Sequence, residues 1–271
     1  MDRALLESKA RQYRCDVVHM IYNSDIRSGH FGGSLSAAEI VAALYNGIMQ
    51  FDSTDPGKRD RDRLVLSKGH SVPVVYAALA DKGFFDAEIL RTYRDQGSIL
   101  QGHPDARKTP GLDASAGSLG QGLSVALGQA LASRYIGPYT VYCLLSDGEM
   151  QEGMVWEAVM AAAHHKAHNL VAIVDCNGMQ VDGKTEDILS IEPLDEKFRA
   201  FGWKAIRVDG HDAVGVYEAI ETAKKNDGPC AVLCKTTKGK GVSFMENALS
   251  WHCNKITEEE YQAAIQELMN G

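Results

Sequence analysis

From residue 139 onward the chain alternates short apolar runs with longer amphipathic stretches. The apolar runs have the length of buried strands, and the stretches over 155–166 and 214–225 have helical spacing. Strands that alternate with helices predict an α/β fold, with a mainly parallel sheet and helices on both faces. In such sheets, ligands bind beyond the carboxyl ends of the strands. The predicted strands are 139–145, 170–174, 204–208 and 231–234.

The first half of the chain shows helical periodicity and long irregular stretches. Apolar residues at helical spacing predict a helix over 2–24, and Ser36 and Glu39 have the spacing of a capping box for a second helix. A second cap, at Thr257, predicts a closing helix over 257–270. We therefore expect a single domain over 1–271. Its predicted parts are a loop-rich region 25–120, an α/β core 121–237 and the short closing helix.

Composition and charge exclude several classes of protein. Hydrophobic residues make up 45% and charged residues 24%, which is typical of a globular protein. A net charge of −8 argues against nonspecific binding to nucleic acid. The six cysteines are scattered and have no second pair to complete a zinc site. No apolar stretch has signal-peptide character or approaches the length of a membrane span. We expect a cytoplasmic protein that binds no membrane.

The strongest chemical signal lies at the ends of the first two predicted strands. Asp147 follows the first strand, and Asn177 follows the second strand thirty residues later. Neighbouring parallel strands lie about 4.8 Å apart, so two oxygen-bearing side chains can converge there. A hard cation such as Mg²⁺ prefers such ligands and shares them with phosphates, which the backbone at Gly148 could approach. Either site alone would more often be a simple turn, but both together favour a metal site.

Several motifs resemble the transketolase family. Ser146-Asp147-Gly148-Glu149, followed by Asp175-Cys176-Asn177, resembles the thiamine-diphosphate motif, with Ser146 and Cys176 in place of a glycine and an asparagine. Further segments resemble transketolases in particular and appear in the same order, from about residue 10 to residue 253. They are Ser28-Gly29-His30-Phe31-Gly32-Gly33, Ser67-Lys68-Gly69-His70, Gln101-Gly102-His103-Pro104, Gly117-Ser118-Leu119-Gly120-Gln121-Gly122, Glu149-Met150-Gln151-Glu152-Gly153 and Ser250-Trp251-His252.

The resemblance implies a thiamine-diphosphate-binding fold of the diphosphate-binding type, and roles for individual residues. Mg²⁺, for which Ca²⁺ or Mn²⁺ can substitute, would be held by the side chains of Asp147 and Asn177 and by the carbonyl of Met179. The residues implied to bind the cofactor are His70, Lys68, Gly117, Leu119, Gly148, Glu149, Asn177 and Val181. Those implied to act on the sugar are His30, His103 and His252, since an imidazole with a pKa near 6.5 suits proton transfer.

The other histidines have structural interpretations. His19 lies in the first predicted helix, and His211 lies in a turn after a strand. His164, His165 and His168 cluster on one predicted helix. His164 and His168 are one turn apart and could bind a metal, but no third ligand for that pair is evident, so we interpret the cluster as structural.

The resemblance also implies a partner chain. In transketolases the glutamate that activates the cofactor lies in a second α/β domain, contributed across a subunit interface. No second α/β set and no comparable glutamate follow the His252 segment. We therefore expect the N-terminal subunit of a split transketolase, active only with a C-terminal subunit, in a heterotetramer with two copies of each. A truncated chain is the alternative.

Three other functions are compatible with parts of the pattern. A deoxyxylulose phosphate synthase or a 2-oxoacid dehydrogenase subunit could share the cofactor domain, but the resemblance to these enzymes gives no reason for the His30, His103 and His252 set. A noncatalytic regulatory subunit would not need both Asp147 and Asn177. A dinucleotide-binding protein would need Gly-x-Gly-x-x-Gly after a strand, whereas Gly117 begins Gly-x-x-Gly-x-Gly.

Overall fold

A five-stranded, wholly parallel sheet forms the centre of the protein, described in a computed structural model for residues 1–270. The spatial order of its strands is β1-β2-β3-β5-β4. Parallel neighbours need crossover connections, and helices provide them on both faces. The strands are β1 (Arg63–Leu66), β2 (Val141–Ser146), β3 (Leu170–Cys176), β4 (Lys204–Asp209) and β5 (Cys230–Lys235).

Two layers of helices cover the sheet. Alternate strand residues point to opposite faces, so Tyr142 and Leu144 belong to one hydrophobic core and Cys143 and Leu145 to the other. Helices α1, α3, α4, α9 and α10 contribute to the first core and α5, α6 and α8 to the second, which confirms the predicted fold class. The helices are α1 (Arg3–Asn23), α2 (Gly32–Ser36), α3 (Ala38–Ala43), α4 (Val72–Asp81), α5 (Gln121–Ile136), α6 (Gly153–His164), α7 (Thr185–Leu189), α8 (Leu194–Ala200), α9 (Ala213–Lys224) and α10 (Glu258–Asn270).

The four predicted strands and the helices predicted over 2–24, 155–166, 214–225 and 257–270 are confirmed to within two residues. Helices α4 and α5 were not predicted, and edge strand β1 was also missed. It has four residues and begins with arginine in the region predicted to be loop-rich. It pairs in parallel with β2, from Arg63 opposite Val141 to Leu66 opposite Leu144. This pairing places the segment that follows β1, Ser67 to His70, at the carboxyl edge of the sheet.

One predicted helix cap is wrong and one is confirmed. Ser36 is the last residue of α2, and its hydroxyl donates to Asp175 instead of capping a following helix. Glu39 pairs with Arg14, so the spacing at 36–39 does not form a capping box. At the closing helix, the Thr257 hydroxyl accepts from the amide of Glu260, and the Glu260 carboxylate accepts from the amide of Thr257.

All six cysteines are free thiols, three of them buried in strands. Over residues 1–270 no helix is long and apolar enough to cross a membrane.

Candidate active site

The ends of β2 and β3 bring Asp147 and Asn177 together at the carboxyl edge of the sheet. Ser146 lies opposite Asp175 in the ladder, and the amide of Asp147 donates to the Asp175 carbonyl at 3.1 Å. The Asp147 carboxylate accepts from the amides of Gly148 at 2.8 Å and Gly178 at 2.5 Å. The Asn177 side-chain oxygen accepts from the amide of Met179 at 3.1 Å. The turn that carries Met179 is therefore tied to both predicted metal ligands.

Asp147 has the electrostatic character of a cation ligand. It is 2% exposed. Burial, followed by the nearby charge of Asp175, raises the pKa of Asp147 to about 7. A divalent cation would offset both effects, and the donor types available here (carboxylate, amide oxygen and backbone carbonyl) are those that Mg²⁺ accepts. Residues 1–270 contain no group of three His, Cys, Asp or Glu side chains able to hold a metal, and the proposed set has only one such residue.

Asp175, which the sequence reasoning did not single out, is a fully buried junction behind this pair. It accepts hydrogen bonds from Ser36 Oγ at 2.7 Å and from Asn177 Nδ2 at 3.2 Å, and also from Thr236 Oγ1. Its ion pair with Lys68 joins two side chains that are both 0% exposed. Burial would raise the pKa of Asp175, but the ammonium of Lys68 lowers it below its ordinary value. Asp175 therefore stays charged and orients Asn177.

Lys68 lies behind the predicted cofactor pocket, inside the protein. Besides pairing with Asp175, its ammonium donates to the Gly33 carbonyl at 3.0 Å. The side chain is fully buried. Its direct contact with a diphosphate stays a prediction, whereas the structure shows it holding Asp175 and the loop after His30.

Glu149 also lies behind the pocket, where it joins three segments. Its fully buried carboxylate accepts from the amides of Gly120 at 2.7 Å and Ser146 at 3.2 Å, and from the hydroxyl of Ser67. Gly120 has a φ of +84°, a conformation that favours glycine. Glu149 thus anchors the glycine-rich loop that opens α5, and its contact with the cofactor stays a prediction.

The residues predicted to contact the cofactor rings differ in exposure and in packing. Gly117 is exposed, and a Cβ at this position would lie 3.8 Å from the ring of His103. A Cβ at Gly69 would meet the Gly117 amide nitrogen at 3.2 Å, so two loops pack here backbone against backbone. Leu119 and Gly148 are partly buried, and Val181 is 59% exposed.

Four histidines from distant parts of the chain form one cluster. The ring centroid of His30 lies 5.5 Å from that of His70, 5.7 Å from His103 and 5.5 Å from His252. His70 and His252 are 5.1 Å apart. A short antiparallel ribbon, Ser28–Gly29 paired with Asn254–Lys255, holds the segments of His30 and His252 side by side. The structure thus brings together all four histidines selected from the sequence.

The environment favours neutral imidazoles in this cluster. Burial, followed by nearby positive charge, lowers the pKa values of His30 and His252 to about 4. The same causes lower the pKa of His103 and, further, that of His70. Near pH 7 each ring can therefore donate one hydrogen bond and accept another. The Nδ1 atom of His30 is buried and has no hydrogen-bond partner among residues 1–270.

Lys238 completes the cluster and was missed from the sequence. Its Nζ lies 3.0 Å from His252 Nδ1 and 3.3 Å from the Gln180 carbonyl, and the residue is 2% exposed. Because an ammonium only donates, Nδ1 of His252 accepts, and the ring hydrogen is on Nε2. The available signal was its position, three residues beyond strand β5 at the same sheet edge as Asp147 and Asn177.

The remaining histidines lie outside the cluster. His19 contacts the hydroxyl of Tyr261 at 2.9 Å and links α1 to α10. His164 and His165 contact each other at the exposed end of α6. His211 bridges Glu39 and the amide of Thr237.

Comparisons with known proteins agree with this geometry. Residues 7–269 match the family described as transketolase, thiamine diphosphate binding domain. The chain is 46% identical over 262 residues to a 6-deoxy-6-sulfo-D-fructose transketolase subunit of Clostridium sp. (strain MSTE9), covering 95% of each chain. It is 39% identical over 267 residues to an apulose-4-phosphate transketolase subunit of Phocaeicola vulgatus, covering 97% of this chain and 93% of the relative. The crystal structure of Campylobacter jejuni transketolase matches with a TM-score of 0.92 and 30% identity, covering 99% of this chain and 43% of that one.

Proposed function

Because the chain belongs to the transketolase family, as its thiamine-diphosphate-binding domain, we propose that it binds thiamine diphosphate with Mg²⁺ and transfers a two-carbon ketol unit from a ketose phosphate to an aldose phosphate. The observation that carries the proposal is the cluster of His30, His70, His103 and His252 at the sheet edge that presents Asp147 and Asn177. A site for decarboxylation alone would not call for so many groups able to hydrogen-bond sugar hydroxyls.

The residues at the strand ends fit the cofactor and its cation. Asp147, Asn177 and the carbonyl of Met179 would hold Mg²⁺, Ca²⁺ or Mn²⁺, and the cation would bind the diphosphate. The diphosphate would also contact Gly148 and His70, with Lys68 and Glu149 fixing the surrounding loops. Gly117 and Leu119 would approach the cofactor rings, and Val181 would form an apolar wall. When bound, thiamine diphosphate supplies the nucleophilic carbon that accepts the two-carbon unit.

The histidines would orient the sugar and move its protons. His30, His103 and His252 are neutral near pH 7, so each can donate to a sugar hydroxyl, and His30 and His103 can in addition accept from one. At His252 the ammonium of Lys238 leaves Nε2–H as the donor. A neutral ring that takes a proton from the sugar becomes an imidazolium, which gives a proton back in the reverse step and so regains its neutral form.

A partner chain is part of the proposal. Two observations support it. The chain covers nearly the whole length of relatives that are named as transketolase subunits, whereas it covers 43% of a solved transketolase. The partner would be a C-terminal subunit that supplies the pyrimidine-binding domain and its activating glutamate. Two copies of each chain would form a heterotetramer in the cytoplasm.

Substitutions in the histidine cluster test the reaction. In the complex with the partner, His30→Ala and His103→Ala should each lower the rate of ketol transfer by about 10²–10⁴-fold, with binding of thiamine diphosphate retained. His164→Ala, at the exposed end of α6, is the matched control and should leave the rate unchanged. A full rate of ketol transfer in both cluster variants would contradict the roles assigned to His30 and His103, and decarboxylation of a 2-oxoacid in place of ketol transfer would favour another enzyme of this cofactor class. No reaction with any donor would favour a regulatory subunit.

A sulfonated ketose is a second candidate donor. The 46% identity to a 6-deoxy-6-sulfo-D-fructose transketolase subunit is the observation that favours it. A panel of xylulose 5-phosphate, apulose 4-phosphate and 6-deoxy-6-sulfo-D-fructose, compared by kcat/KM in the same complex, separates these substrates.

A further inference from the structure

His211 lies in the turn after β4, against the segment that follows β5. The amide of Gly210 donates to the carbonyl of Lys235 at 2.7 Å. A Cβ at Gly210 would meet Thr236 Cγ2 at 2.4 Å, so only glycine allows the two backbones to pack this closely. His211 itself is half-buried between this contact and α3, with its side chain 18% exposed.

The imidazole of His211 has a defined hydrogen-bonding pattern. The amide of Thr237 donates to Nε2 at 2.8 Å. A backbone amide can only donate, so Nε2 carries no hydrogen and the neutral ring is protonated on Nδ1. Nδ1 lies 3.2 Å from Glu39 Oε2 and donates to it. Both ring nitrogens are therefore used, one to fix the ring and one to hold the backbone of residue 237.

Glu39 is itself rigidly held. Arg14 Nη2 donates to both of its carboxylate oxygens, at 2.8 and 2.6 Å, and Arg14 Nε donates to the carbonyl of Leu35 at 3.1 Å. Burial would raise the pKa of Glu39, but the charge of Arg14 lowers it. A charged acceptor fixed on α1 and α3 therefore orients His211, as an outer-shell carboxylate orients a histidine at a metal site.

The 236–238 segment carries side chains of the candidate site, and the His211 ring bonds to this segment through the backbone amide of Thr237. The hydroxyl of Thr236 donates to Asp175, which orients Asn177. Lys238 reaches His252 Nδ1 at 3.0 Å. A shift of the backbone at residue 237 would move both contacts together.

We propose that His211 is a positioning residue of the active site. Fixed by Glu39 and Arg14, it holds the 236–238 segment through the amide of Thr237 and so keeps Lys238 on His252. The role in catalysis rests on the function proposed above, whereas the structural coupling from His211 to His252 stands independently of it.

Three substitutions separate this role from simple packing. His211→Gln places an acceptor near the position of Nε2 and should keep the bond to Thr237. His211→Asn keeps a donor for Glu39 but is too short to reach Thr237. His211→Met fills similar volume with no equivalent acceptor and repeats the comparison if the asparagine variant does not fold. His19→Asn, which disturbs the hydrogen bond to Tyr261 far from the site, is the matched control.

Two measurements on the intact chain without substrate test whether His211 is coupled to His252. Amide exchange over 236–241 should quicken roughly fivefold in the Asn and Met variants, the equivalent of one lost hydrogen bond of about 1 kcal/mol. An NMR titration should show the pKa of His252, which burial and then Lys238 and Lys68 lower to about 4, rising when Lys238 is released. His30 and His70 also face His252, but they are the same in every variant.

The proposal predicts that amide exchange over 236–241 and the pKa of His252 stay close to wild type in His211→Gln and in His19→Asn. It also predicts that both quantities change in His211→Asn or in His211→Met. In the complex with the partner, kcat for ketol transfer should then fall more than KM changes. Unchanged exchange and an unchanged His252 pKa in the Asn and Met variants would overturn it. A complex with no ketol-transfer activity would instead contradict the proposed function while leaving the two measurements on the chain valid.

Discussion

Two neighbouring carboxylates at the sheet edge, Asp147 and Asp175, have different electrostatic environments. Asp175 is paired with the buried ammonium of Lys68. Among residues 1–270, the hydrogen-bond donors to Asp147 are backbone amides, and its pKa is raised. This division leaves one carboxylate for a cation and uses the other to orient Asn177.

At Asp147 we predict a loss of metal-dependent cofactor binding. Asp147→Ala should weaken binding of thiamine diphosphate in the presence of Mg²⁺ by more than the roughly 10–100-fold that changes outside the coordination sphere cost. Isothermal titration measures the affinity, and circular dichroism checks the fold. Asp182→Ala, at an exposed carboxylate in the loop after Asn177, should bind as wild type does. Equal affinity for both variants would exclude Asp147 as the metal ligand.

At Lys68 we predict a loss of stability. Lys68→Met would leave Asp175 buried without its cation, which typically costs about 3–5 kcal/mol in the free energy of unfolding. Lys184→Met, at the exposed ion pair with Glu186, should cost at most about 1 kcal/mol. Denaturant unfolding of both variants makes the comparison. Similar losses would show that the ammonium is not needed in the folded core.

At His30 we predict a pH-dependent stability difference. Its folded-state pKa is about 4, below the ordinary 6.5, because burial and nearby positive charge disfavour the protonated ring. Below about pH 6.5 the unfolded chain takes up a proton that the folded protein resists, so wild type loses stability as pH falls towards 4. Relative to His30→Gln, the free energy of unfolding of wild type should therefore decline over this window. A constant difference from pH 7 to pH 4 would contradict the assigned environment.

At the scale of elements, the sequence allowed the regular α/β half to be predicted and left the irregular half largely hidden. Strands β2 to β5 are marked by apolar runs, so Asp147 and Asn177 could be placed from the sequence. Strand β1 has four residues, and its place in the sheet depends on pairing with β2, 78 residues away at Arg63 and Val141. The contacts of Asp175 and Lys238 join distant segments, which local patterns do not encode.

The start of α5 gives a matched test of close packing. A Cβ at Gly122 would meet Ser67 Oγ at 2.4 Å and Ser67 Cα at 2.7 Å, whereas a Cβ at Gly128 would meet nothing within 4 Å. Gly122→Ala should destabilise by about 1–3 kcal/mol through overpacking, and Gly128→Ala should stabilise by about 0.5–1 kcal/mol. Thermal unfolding compares the two. A stable Gly122→Ala variant would show that the loop can move away from Ser67.

At the scale of the whole molecule, segments that are far apart in the sequence meet at the carboxyl edge of one sheet. Strands β2, β3 and β5 present Asp147, Asn177 and Lys238, and the ribbon near the chain ends aligns His30 with His252. In our proposal, these groups hold the cofactor and the sugar. The activation of the cofactor is assigned, in our proposal, to another chain.

Reconstitution of ketol transfer tests this central claim most directly. The chain would be assayed with thiamine diphosphate, Mg²⁺ and a ketose phosphate donor, first alone and then mixed with the chain that copurifies with it from its native host. We predict no transfer by the chain alone, transfer by the mixture, and none when the mixture contains Asp147→Ala. Transfer by the chain alone would contradict the need for a partner, and transfer by the Asp147→Ala mixture would contradict the metal site on which the account rests.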